Sequence, residues 1–267
     1  MDYGIIIRNC TDLRSGPKFR TERKSQLLFG EPVKIGTTRQ GYCKIYQNDG
    51  YDGWVDVRAL LKITEREFRN LKRRYNYHVI SRTAPLRLLE PKGGFVCPPF
   101  VFYGTRLAVE KSHKGKALVS LPGGGRIEIS MKHIAALSEG NLTPIISSHI
   151  IGEARKFAGT PYLWGGVTAF GIDCSGLVQS IYGRFGIILP RDSAMQIKCG
   201  REIKREDVRK GDLLFFRGHV AIAIDKYRII HSSLGEGGVA ENSLRPGDAR
   251  FRKDLLDTYI TARRVLP

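Results

Sequence analysis

GIDCSGLVQSIYG, residues 171–183, sets a cysteine between an aspartate and a serine, just ahead of an apolar run. Leu177, Val178, Ile181 and Phe185 recur at helical spacing, and Gly186 is placed to end that helix. Cys174 then falls in the first turn. A side chain there lies among backbone N–H groups that have no helical partner, at the positive end of the helix dipole. Both favour the thiolate, the form that attacks carbon. The competing reading is a small buried core residue, which is what most free cysteines are.

Upstream, Ile150, Ile151, Ala154, Phe157 and Ala158 share one helical face, with Ser147 or Ser148 available as a cap. Downstream the pattern changes to strands. DLLFF (212–216) and HVAIAI (219–224) flank an Arg-Gly turn, and RIIHSS (228–233) follows after DKY. Helices followed by an antiparallel sheet predict an α+β domain over 141–267. NLTPIISS (141–148) reads as its linker.

A thiol nucleophile needs a base from elsewhere in the fold. His219 and His231 are the histidines of this predicted sheet. A three-residue DKY turn sets Ala221 opposite His231. The two histidines are then diagonal neighbours, with Cα atoms about 7–8 Å apart on one face. A two-residue turn sends them to opposite faces. The sequence permits both. In the first case Cys174 attacks an amide carbonyl, His219 exchanges the proton and His231 orients His219. The backbone N–H of Cys174 is then a natural oxyanion donor.

The first half has a different texture. EPVKIGT, YCKIY and GWVDV are short strand-like runs, with an NDG turn signal (48–50) between the last two. They predict a small all-β barrel over 1–62. Residues 64–75 read as a short charged helix. HVISR, FVFYGTRLAVEK, KALVSL and GRIEIS, split by PKGG, HKGK and PGGG, predict a second small barrel over 63–140. The similar size and texture suggest a duplication.

The 267 residues carry 44 Lys+Arg against 26 Asp+Glu, a net charge of +18, which favours anionic partners. The charge is spread through mixed stretches such as TEREFRNLKRRY (64–75), with no zinc-finger spacing or basic–aromatic interleaving, so no nucleic acid is expected. Five cysteines, none in a CxxC, argue against a disulfide framework. The histidines are not at metal-ligand spacing, so neither metal nor cofactor is expected. The opening MDYGIIIRNC lacks a basic region and a long apolar core, and no stretch approaches a membrane span. The expected location is the cytoplasm; the alternative is export to the cell envelope by an unrecognised route.

Six stretches now stand in order: GTPYLWGG (159–166), DCSGLVQSIY (173–182), LPRDSAMQ (189–196), GDLLFF (211–216), GHVAIAI (218–224) and IIHSS (229–233). Together they resemble the NlpC-type cell-wall cysteine peptidases, papain-like enzymes of bacteria. The resemblance covers nearly all of 145–267. It implies cleavage of peptidoglycan stem peptides at the γ-D-glutamyl bond to a diamino acid. Cys174 would be the nucleophile, His219 the base and His231 the third, orienting residue. Tyr162 would lie beside the cysteine. Asp173, Ser175 and Ser193 would hold the D-glutamate and the residue before it, and Trp164 would wall the cleft.

LRSGPKFRTERKSQLLFGEPVKI and GYCKIYQNDGYDGWVDVRAL resemble bacterial SH3-like domains. Residues 63–140 resemble them less clearly. Two such domains before a papain-like catalytic domain are the layout of the family's members that recycle murein peptides. In that layout an acidic side chain meets the free amine of L-alanine. Asp52 could supply it, with Tyr51 or Tyr103 nearby. A substrate without the amine would leave the acid desolvated, at about 1–3 kcal/mol. The first alternative is the same hydrolase acting on polymeric peptidoglycan in wall remodelling or division. The second is a non-catalytic SH3-like or nucleic-acid-binding protein.

Overall fold

The computed structural model describes residues 2–47, 49–90, 97–121, 125–137 and 146–266, without the side chains of Lys72 and Ile146. The expected PKGG turn (91–94), most of PGGG, Asn48 of the NDG turn and residues 141–145 of the linker lie outside them. The chain forms two units, 1–137 and 138–267.

In the first unit, seven antiparallel strands pair in the order Arg23–Leu28, Cys10–Arg14, Asp52–Asp56, Tyr42–Tyr46, Pro32–Arg39, Asp2–Ile6, Leu60–Ile63. Period-2 alternation turns Ile6, Leu13, Leu27, Val33, Ile45 and Val55 into one core. The expected barrel is not closed: the outermost strands, Arg23–Leu28 and Leu60–Ile63, do not pair with each other. The chain leaves Leu60–Ile63 straight into the helix Glu65–Arg74. Thr64 and Glu67 cap that helix reciprocally, and Phe68 packs its ring on Tyr3, 4.6 Å between centroids.

A six-stranded sheet follows, in the order Arg87–Glu90, Arg126–Ser130, Lys116–Ser120, Arg106–His113, Tyr77–Val79, Ile134–Ala136. A separate pair joins Thr83–Pro85 to Phe100–Phe102. This sheet is open too. FVFYGTRLAVEK is not one strand: Gly104, at φ +85°, breaks it, and its two halves enter different sheets. HKGK is a tight hairpin turn, with Lys114 and Gly115 both at positive φ.

The second unit is α+β. Its six strands are all antiparallel, in the order Arg201–Ile203, Tyr259–Arg264, Leu213–Phe216, His219–Ala223, Arg228–Ser233, Gly238–Ser243. The helix Cys174–Gly183 packs on His219–Ala223 and Arg228–Ser233 through Leu177, Val178 and Ile181. The Tyr182 hydroxyl donates to the Gly211 carbonyl at 2.6 Å. Gly186, at φ +77°, closes the last turn, where Ile187 N–H reaches back to the Tyr182 carbonyl.

The helix Ile146–Arg155 buries Ile150, Ile151 and Ala154, but two expectations fail there. Ser147 and Ser148 lie inside its first turn, so neither caps it. Ala158 is exposed, because the helix has already ended and the chain is turning at Gly159, at φ +73°. Among the described residues no helix is long and apolar enough to cross a membrane.

Candidate active site

Cys174 is the first residue of its helix, and Asp173 is the N-cap. The Asp173 carboxylate accepts the N–H of Gly176 at 2.7 Å and of Gly165 at 2.8 Å, and the Ser175 hydroxyl at 3.2 Å. Arg191 closes the cluster with two hydrogen bonds to Asp173, at 3.0 and 2.7 Å, and one to the Ser175 hydroxyl at 2.9 Å. Arg191 is 2% exposed, so this is a buried, bidentate ion pair. The glycine of DCSG is required by close approach: a Cβ on Gly176 would run into the Gly166 carbonyl oxygen.

The opposite wall comes from the sheet. Ile222 pairs with Ile230 and Ala223 with Ile229, and Ile224 N–H bonds the Arg228 carbonyl. That is the register of a three-residue DKY connection. His219 and His231 therefore share a face. Their rings meet edge to face, 4.9 Å between centroids, and His219 Nε2 lies 2.7 Å from His231 Nδ1. His231 Nε2 lies 2.8 Å from Asn242 Oδ1 on the next strand.

The backbone N–H groups of Val220 and Ser175 favour the Cys174 thiolate. Val220 follows His219 directly, and the helix that Cys174 begins packs on the strand that carries the imidazole. Cys174 is buried but not sealed, at 7% exposed. Burial, and then the Asp173 charge, push its thiol up to about 11, against those N–H groups and Arg191. Burial, and then His231, push His219 down to about 3. Burial also lowers His231, against its bond to Asn242. The helix tip alone was expected to favour thiolate; desolvation outweighs it.

Tyr162 is half-buried, its backbone N–H bonded to Gly237. Burial and the nearby Cys174 push its phenol up to about 12. Ser193 is half-buried at the start of the short helix Ser193–Gln196. Ser175 is buried in the Arg191 cluster, and every Asp173 oxygen is already engaged by protein donors. Trp164 is 61% exposed, so it is not a core residue.

Asp52, Tyr51 and Tyr103 belong to the other unit. Asp52 is clasped by Lys24 and Lys44, which hold its carboxyl below the usual range. Two ammonium groups on one carboxylate leave a net positive spot, a poor receptor for a substrate amine. Tyr51 donates to the Lys24 carbonyl at 3.4 Å, under the Lys24 ammonium. Tyr103 is 1% exposed.

Sequence reading missed Asn242 and Arg191. Arg191 stood in the LPRDSAMQ stretch without a role. Asn242 stood in GVAENS, which was not recognised as a strand.

The NlpC/P60 family profile matches residues 159–253, and that of the bacterial dipeptidyl-peptidase Sh3 domain matches 13–60. Dipeptidyl-peptidase 6 of Lysinibacillus sphaericus is 30% identical over 282 residues, covering 97% of each chain. The chain belongs to the NlpC/P60 family. It is a cysteine peptidase with an N-terminal bacterial SH3 domain of the dipeptidyl-peptidase type. The gamma-D-glutamyl-L-lysine dipeptidyl-peptidase of Bacillus cereus is 28% identical over 262 residues, covering 91% of this chain and 75% of that one. A crystal structure of an NlpC/P60 family protein from Bacillus cereus matches with a TM-score of 0.85 at 25% identity, over 99% of this chain and all of that one.

Proposed function

We propose that this NlpC/P60 peptidase hydrolyses the γ-D-glutamyl–diamino acid bond of short murein peptides that carry a free N-terminal L-Ala. The observation that carries the reading is Cys174 at a helix tip, against the strand whose His219 is bonded to His231. The substrate follows from relatives named as gamma-D-glutamyl-L-lysine dipeptidyl-peptidases.

In this reading His219 Nε2 is occupied by His231, so Nδ1 takes the thiol proton. The thiolate attacks the γ-carbonyl carbon of D-glutamate, and the backbone N–H of Cys174 stabilises the oxyanion. His219 returns the proton to the leaving amine of the diamino acid. A thioester remains; His219 then deprotonates the water that releases the dipeptide. Tyr162, Ser193 and Trp164 are the substrate contacts, while Asp173 and Ser175 act with Arg191 as scaffold for the nucleophile. Domain limits of 1–62 and 63–140 for two SH3-like domains and 141–267 for the peptidase, a role in murein recycling and a cytoplasmic location belong to the same reading.

The test compares L-Ala-γ-D-Glu-diamino acid tripeptides, their N-acetylated forms and intact sacculi. Rapid cleavage of the free tripeptide alone is expected. Equal cleavage of sacculi would favour the wall-remodelling alternative instead.

A further inference from the structure

We infer that Asn242 is a positioning residue that fixes the ring tautomers of His231 and His219, so that His219 presents an unprotonated Nδ1 to Cys174. The inference rests on the proposed Cys174–His219–His231 machinery and adds one residue to it.

An amide side chain can be turned either way, and its partners decide which. Asn242 is 4% exposed. Its Nδ2 faces two oxygens that can only accept: Glu236 Oε1 at 3.1 Å and the Arg250 carbonyl at 3.5 Å. Glu236 is an ionised carboxylate. Burial works against its charge, but hydrogen bonds from Arg252 and Asn242 outweigh it and hold its carboxyl below the ordinary range. The Arg252 contact is 2.6 Å, and Arg250 adds a second at 3.5 Å. Turning the amide over would aim its oxygen at that carboxylate.

The orientation of Asn242 therefore sets its oxygen, not its nitrogen, 2.8 Å from His231 Nε2. An amide oxygen only accepts, so His231 Nε2 carries a proton. Burial keeps both imidazoles neutral, each with a single proton. His231 Nδ1 is then a bare lone pair. It lies 2.7 Å from His219 Nε2, which must donate to it. His219 has spent its one proton on that bond, and its Nδ1 is left bare.

The opposite arrangement would disable the site. With an N–H donor at His231 Nε2, the proton of His231 moves to Nδ1, and the proton of His219 moves to its own Nδ1. A donor would then face a thiol that needs an acceptor. The observed chain also supports the charged state. When His219 takes the thiol proton, both links stay donor-to-acceptor, with a partly negative amide oxygen at the far end.

The first test needs no variant. Ring-nitrogen NMR of the full chain should find His219 and His231 both protonated at Nε2 and bare at Nδ1. A proton on His219 Nδ1 would overturn the inference. The second test is kinetic. Asn242→Leu removes the acceptor at similar size, and kcat on the tripeptide should fall about 100-fold or more with KM within a few-fold, the scale of losing general-base catalysis. Asn242→Asp combined with Glu236→Gln keeps an acceptor at His231 without setting two carboxylates together, and should recover most of that loss. Wild-type kcat in Asn242→Leu, with Cys174→Ala inactive, would overturn this inference alone. Hydrolysis persisting in Cys174→Ala would instead sink the proposed function on which it rests.

Discussion

Burial acts on Cys174 and His219 in opposite directions, and this makes them depend on each other. The thiol is pushed up to about 11 and the imidazole down to about 3, so neither carries charge alone near pH 7. In the proposed machinery a thiolate forms only with its proton lodged on His219. Removing the imidazole should therefore silence the sulfur. At pH 7, Cys174 in His219→Ala should react with iodoacetamide at least about tenfold more slowly than in the wild type. Equal rates would mean that the helix tip activates the thiol unaided. Arg191 carries a second prediction. Arg191→Met removes one partner of a buried ion pair, which should cost about 3–5 kcal/mol in urea unfolding.

Secondary structure brings the site together through two short-range devices. One is the DKY connection, whose length decides whether the histidines share a face. The other is Gly176, which lets the helix tip lie against the Gly166 carbonyl. Gly176→Ala should displace that tip, lowering stability by about 1–3 kcal/mol and reducing kcat, read by thermal melting and tripeptide turnover. An unchanged melting curve with full activity would contradict the packing. Much of this part was legible in the chain: GIDCSGLVQSIYG carries the cap, the proposed nucleophile and the apolar face in one stretch, and HVAIAI and RIIHSS give strands 219–223 and 228–233 almost to the residue. GVAENS was not legible, because its Asn242 and Ser243 are buried polar residues held by hydrogen bonds, so the strand lacks the apolar alternation that marks one. Asn242 was hidden with it. Arg191 was hidden because one arginine among 44 basic residues looks like surface until its burial is seen.

Across the molecule, the two units differ in how far the chain announces them. The α+β unit follows from periodicity, whereas the openness of the first unit's sheets does not. Strand texture reports alternation but not which edges meet; that depends on Leu60–Ile63 running on into a helix and on Gly104 splitting one apolar run. The first unit also holds a half-buried acid. Burial pushes Glu31 up to about 7, against the Leu28 N–H, Arg106 and the Gln47 amide, with Asp49 adding repulsion. The folded protein thus binds this proton more tightly than the unfolded chain. Stability from this group is present at low pH and is lost as pH rises from about 4.5 to about 7. Glu31→Gln should unfold at a higher urea concentration than the wild type at pH 8, and the advantage should vanish at pH 4.5. The same advantage at both pH values would rule out the buried proton.

The account stands on Cys174 attacking the γ-carbonyl of D-glutamate. Mass spectrometry of L-Ala-γ-D-Glu-diamino acid tripeptide incubated with the wild type and with Cys174→Ala tests this most directly. The wild type should release L-Ala-γ-D-Glu and the free diamino acid, and Cys174→Ala should release neither. The same two products from Cys174→Ala, or an intact tripeptide in the presence of the wild type, would contradict it.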